Sequence, residues 1–113
     1  MSDLRKFESP GDHTATFKTD ELTALCPFDF GGPDYYTLRL RYVPDGNVVE
    51  SKSLKQYLEG YRSEEISAEA LACQIHSDVT NAIDPKRCYL RLEQARRGGI
   101  EETVEVGDND LRE

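Results

Sequence analysis

Residues 26–55 read CPFDFGGPDYYTLRLRYVPDGNVVESKSLK. Within them, Tyr36, Leu38, Leu40 and Tyr42 alternate with Thr37, Arg39 and Arg41. That period of two predicts an antiparallel strand over residues 35–43, with one face toward a core. Pro44-Asp45-Gly46-Asn47 supplies a turn, and Val48-Val49 returns as a short extended piece. Ser51 is the expected N-cap of a helix running to about Arg62. Leu54, Leu58 and Tyr61 define its apolar side. A strand, a turn and an amphipathic helix in thirty residues thus set an α+β pattern.

The flanks extend it. Residues 13–19 (HTATFKT) suggest a first strand, and residues 21–25 either turn or continue it into Cys26. A second helix is expected from Ser67 to Ile83, because Leu71, Ile75, Val79 and Ile83 recur every four residues and Asp84-Pro85 closes it. Residues 87–95 alternate again, with Cys88, Leu90 and Leu92 on one face. Arg96-Arg97-Gly98-Gly99 reads as a basic turn, and residues 100–106 (IEETVEV) form the last strand. The order is ββααββ, an antiparallel sheet with two helices on one face. The 113 residues are expected to form one domain, with a loose arm over 1–12 and a fraying acidic tail over 107–113.

Composition narrows the function. A net charge of −8 argues against broad nonspecific affinity for nucleic acid, although a local basic patch remains compatible with it. No apolar run approaches the roughly 20 residues that span a bilayer, and the first residues lack the apolar centre of a signal peptide. A soluble, cytoplasmic protein is expected. Cys26, Cys73 and Cys88 are an odd number without a CxxC pair, and His13 and His76 lack ligand spacing, so neither a disulfide framework nor a metal site is expected. Packing roles fit Cys73 and Cys88.

Cys26 differs because it precedes the Pro/Gly-rich loop that ends at Pro33-Asp34. A thiol there is either a small buried hydrophobe or a nucleophile. Asp34, with Asp29 as a competitor, is either a turn residue or a proton donor. Lys52 and Lys55 share a helix face. They form a solvated surface in which Lys55 pairs with Glu59, or they receive phosphates beside the free N–H groups of a helix start. Glu69 falls in the first turn of the second helix. Arg96 and Arg97 either hold an anion or decorate a hairpin.

Taken together, the CP…PD loop, Glu50-Ser51-Lys52-Ser53-Leu54-Lys55 followed by Tyr57, the later Glu69 and Arg97-Gly98-Gly99-Ile100 resemble the 7-cyano-7-deazaguanine (preQ0) reductases, the QueF family. The resemblance covers residues 26–100. It implies the tunnelling fold, whose ββααββ units oligomerise into barrels with active sites between subunits. It also implies roles for particular residues. Cys26 attacks the nitrile to give a covalent thioimide, and Asp34 donates a proton. Val49, Glu50, Ser51 and Glu69 hold the deazaguanine. Lys52, Lys55 and Arg97 face the phosphates of NADPH, which reduces the nitrile to the primary amine of 7-aminomethyl-7-deazaguanine (preQ1). The substrate is either the free base or the base already carried in DNA or tRNA.

The sequence departs from the pattern in two places. The loop between Cys26 and Asp34 is one residue longer than usual, and Ala68 stands where the reductases carry a histidine. A related branch, the QueF-like amidine-forming enzymes, lets ammonia attack the thioimide to produce archaeosine and generally lacks these lysines. Both lysines are present here, which favours reduction.

Overall fold

A computed structural model describes residues 3–28 and 32–112 of the chain. Four strands form the main sheet in the order β2-β3-β5-β6: β2 (Ala15–Leu25), β3 (Pro33–Val43), β5 (Arg87–Arg97) and β6 (Ile100–Gly107). All neighbours are antiparallel. A separate two-stranded ribbon pairs β1 (Lys6–Glu8) with β4 (Asn47–Val49). Helix α1 (Ser51–Glu59) continues as a 3-10 turn through Gly60–Ser63, and α2 (Ala68–Ile83) follows.

The alternation in β3 does what its period requires. Tyr36, Leu38, Leu40 and Tyr42 are all buried, and their cross-strand partners Leu92, Leu90 and Cys88 are buried beside them. Leu54, Tyr57, Leu58 and Tyr61 come down on this face from α1 and the turn after it. Leu71, Ile75, Val79 and Ile83 come down from α2. The two helices therefore cover one face of the sheet, as the pattern predicts.

The structure corrects several expectations. Residues 13 and 14 lie outside β2, and His13 instead meets the Gly11 carbonyl at 2.9 Å. Residues 21–25 continue β2, after a register shift between Thr19 and Leu22. The arm over 1–12 is not loose throughout, because Lys6–Glu8 pairs with β4 and the Glu50 N–H donates to the Arg5 carbonyl at 2.9 Å. The acidic tail does not simply fray either. Asp108 accepts from the Cys88 N–H at 2.8 Å, and Leu111 is buried in a short 3-10 turn. Arg96 and Arg97 belong to β5, which leaves the turn to Gly98 and Gly99. Both glycines have positive φ, which a two-residue hairpin demands. Cys73 is exposed, so its expected packing role fails; Cys88 is buried, and burial pushes its thiol up to about 12.

Candidate active site

The helix start at Glu50 is built differently from expectation. Glu50, not Ser51, is the N-cap of α1, and its carboxylate accepts from the N–H groups of Lys52 (2.8 Å) and Ser53 (2.9 Å). These two donors hold the Glu50 carboxyl below its ordinary range. The cap is therefore closed, and the N–H groups expected to be free for phosphate are already used. Ser53 Oγ donates to the Glu50 carbonyl and accepts from the Arg5 N–H, which ties α1 to the arm. Val49 is buried, with its N–H on Tyr42 Oη at 3.0 Å. Ser51 is exposed.

Lys52 and Lys55 are both exposed and make no ion pair among the described residues, so the expected Lys55–Glu59 pairing is absent. Ser51 and Lys55 open onto a cleft of about 400 Å³ between α1 and β2, where Lys18 and Arg62 add two further cations. Glu21 and Glu59 line the same cleft, so its three cations outnumber its carboxylates by one, in a chain of net charge −8. Lys18, Lys55 and Arg62 are the groups there that would meet the phosphates of a dinucleotide. Tyr57, which follows the charged segment, turns inward: its hydroxyl donates to Asp78 and meets Tyr61 Oη at 2.7 Å. Its role is structural.

The thiol and the acid lie elsewhere, near the far end of α1. Nine residues of helix advance roughly 13 Å, and the chain after the 3-10 turn is bonded to the end of β2 through Leu25, Glu64 and Ile66. Cys26 follows directly, half-buried, with the Phe28 N–H pointing at its Sγ at 3.4 Å. Asp34 pairs in register with Ala24, two residues before Cys26, and among the described residues it is the one buried carboxylate. The competing Asp29 lies outside the described residues. Arg97, from the β5–β6 hairpin, donates to Asp34 Oδ1. Within the chain, Arg97 is thus held on the acid.

Tyr36, read from the sequence only as a core residue, and Gln94 and Glu102, not singled out there, join this end. Tyr36, Gln94 and Glu102 are successive register partners on β3, β5 and β6, so they form one row across the sheet. The row lies on the helix-covered face, one step beyond Leu38, Leu92 and Val104. There the apolar rows give way to polar ones. Glu69, in the first turn of α2, hydrogen-bonds through its carboxyl to Glu102. The contact holds Glu69 below and Glu102 above the ordinary carboxyl range, each shifted first by its hydrogen bond to the other. Tyr36 is pushed up, first by burial and then by the negative charges of Asp34, Glu102, Cys26 and Glu69. Those four groups therefore surround one phenol. A polar residue on an apolar parity, Glu102 before Val104 and Val106, was the available signal.

A buried acid, a half-buried thiol near the same sheet end and a cleft with an excess of cations thus lie on one α+β unit of the tunnelling fold. The model of the family described as QueF-like protein matches residues 33–113. The chain belongs to this family. A protein of Nitrosococcus oceani named NADPH-dependent 7-cyano-7-deazaguanine reductase is 42% identical over 105 residues, 90% of this chain and 81% of its own length. Proteins of the same name from Halorhodospira halophila (42% over 106 residues, 91% of this chain and 89% of theirs) and Syntrophus aciditrophicus (43% over 95 residues, 84% and 67%) are similar. The crystal structure of an archaeosine synthase, QueF-Like, in its apo form superposes with a TM-score of 0.75 at 23% identity. The match covers 89% of this chain and 96% of that one, a likeness of fold.

Proposed function

We propose that this protein reduces the nitrile of 7-cyano-7-deazaguanine to a primary amine with NADPH. The observation that carries the reading is the pairing of a half-buried thiol with a buried carboxylate held by Arg97, in a chain that keeps two unpaired lysines on α1. Relatives about 40% identical are named for that activity.

Cys26 Sγ forms a bond to the nitrile carbon as one π bond of the nitrile breaks. The Asp34 carboxylate takes the thiol proton as the sulfur attacks and delivers it to the nitrogen, which gives a thioimide. The Phe28 N–H faces the sulfur and steadies the charge it carries during attack and departure. NADPH, when bound, supplies a hydride at each of two successive reductions. After the first, the C–S bond breaks and Cys26 leaves as thiolate; the second yields the amine, with protons delivered at nitrogen. Arg97 fixes the Asp34 carboxyl toward the substrate. Glu69 accepts from the N–H groups of the deazaguanine edge.

Within one chain, Cys26 and Lys52 stand at opposite ends of α1. A complete site therefore joins Cys26, Asp34 and Glu69 of one copy to Glu50, Ser51, Lys52 and Lys55 of another. Exposed Phe28, Tyr35 and Ile100 cluster near the thiol at the hairpin ends, a surface that a second copy covers. β2 and β6 are open sheet edges, which pair between copies into a barrel.

The test is a spectrophotometric assay with the free base and with the base installed in DNA or tRNA. Oxidation of two NADPH per nitrile on either substrate supports reduction. Turnover that needs ammonia and consumes no NADPH replaces it with amidine formation.

A further inference from the structure

We propose that Glu102, acting with Tyr36, is a specificity-determining part of the substrate site: a second carboxyl opposite Glu69 that reads the 2-amino group of a guanine-like edge. The inference rests on the deazaguanine reading above and names residues that reading leaves unused.

Three observations meet here. The first is placement, since Tyr36, Gln94 and Glu102 form one row on the helix-covered face under the first turn of α2, which carries Glu69. The second is the Tyr36 hydroxyl. Its residue is 2% exposed, and its oxygen is buried without a hydrogen-bond partner. Buried hydroxyls rarely stay unpaired, and the exceptions mark places where a ligand completes the bonding. The third is the direct contact between the Glu69 and Glu102 carboxyls. Two carboxyls that face each other leave acceptor oxygens without donors, so the site stands ready to receive N–H groups.

A guanine-type edge supplies them. N1–H and the 2-amino group present three hydrogens, and one carboxylate meets two of them side by side. The remaining 2-amino hydrogen needs another acceptor, and Glu102 stands beside Glu69 to be it. Tyr36 O–H then donates to an acceptor atom on the same ring system, which pairs the orphaned hydroxyl. A hypoxanthine-type edge lacks the 2-amino group and leaves Glu102 without a donor.

Equilibrium binding in the Cys26→Ala background, which prevents covalent trapping, tests this with two ligands: 7-cyano-7-deazaguanine and its analogue lacking the 2-amino group. The unaltered site is expected to prefer the 2-amino ligand by about tenfold or more, as for hydrogen bonds to charged groups. Glu102→Leu should weaken that ligand by about tenfold and change the analogue less than about twofold, so the preference collapses. Glu102→Gln, which keeps the shape, should shift the preference in the same direction by less. Tyr36→Phe should weaken both ligands alike. Unchanged preference in a Glu102→Leu protein that keeps its melting temperature overturns the proposal. If Glu102→Leu does not fold, unchanged preference in Glu102→Gln does so. Failure of the Cys26→Ala protein to bind either ligand, where the unsubstituted protein is also inactive, overturns the deazaguanine reading first and this one with it.

Discussion

Glu50 shows how one side chain decides what its neighbours can do. Its carboxylate takes up the Lys52 and Ser53 N–H groups at the N-terminus of α1, so the proposed phosphate contacts there rest on the lysine ammonium groups. Because capping lowers the Glu50 carboxyl in the folded state, its stabilisation is complete above the unfolded value. It fades as the pH falls below that value toward the folded one. Glu50→Gln should therefore lower the melting temperature at pH 7, and the gap from the unaltered protein should close on acidification below about 4, in the ordinary carboxyl range. Thermal melts across pH check this; a gap that does not change with pH would assign the effect to shape alone. Gly107 is a second such residue. Its φ is +94°, and a Cβ there would stand 2.2 Å from the Cys88 carbonyl oxygen and 2.5 Å from His76 Nε2. Gly107→Ala should cost about 2 kcal/mol or more through strain and clash, read as a lower denaturation midpoint.

At the scale of elements, the proposed function puts the cofactor surface on α1 and the chemistry on the β2–β3 and β5–β6 hairpins. Lys52→Ala with Lys55→Ala removes two exposed cations worth about 0.5–1 kcal/mol each. The KM for NADPH should rise about five- to thirtyfold with little change in adduct formation at Cys26. An unchanged KM would take the lysines out of the cofactor site. The elements themselves were legible because their periods are clean: Tyr36 to Tyr42 step by two, and Leu71 to Ile83 step by four. The ends were not. The pairing of Lys6–Glu8 with Asn47–Val49 and the docking of Leu111 depend on long-range contacts that leave little local pattern. In the site, Cys26, Asp34 and Glu69 were readable as reactive types at meaningful places. Arg97 was assigned to phosphates by resemblance alone, and its contact with Asp34 across 63 residues of chain left no local pattern to read. Glu102 and Tyr36 were passed over because an isolated strand does not reveal which residue faces it across the sheet.

On the proposed reading the whole molecule holds two half-sites, with thiol and acid near one end of α1 and the lysines near the other. Its 12.8 kDa chain should accordingly run in solution as a multiple of itself, and Ile100→Asp at the exposed hairpin tip should weaken assembly and activity together. Sedimentation at several concentrations measures this; an active monomer would contradict a shared site. The chemistry has a more direct test. Intact-mass spectrometry after incubation with 7-cyano-7-deazaguanine, without NADPH, should show one substrate mass added per chain. The adduct should be absent in Cys26→Ala and lost from the unaltered protein when NADPH is added. An unaltered protein that gains no mass, or a Cys26→Ala protein that gains the same mass, would contradict nitrile reduction through this cysteine.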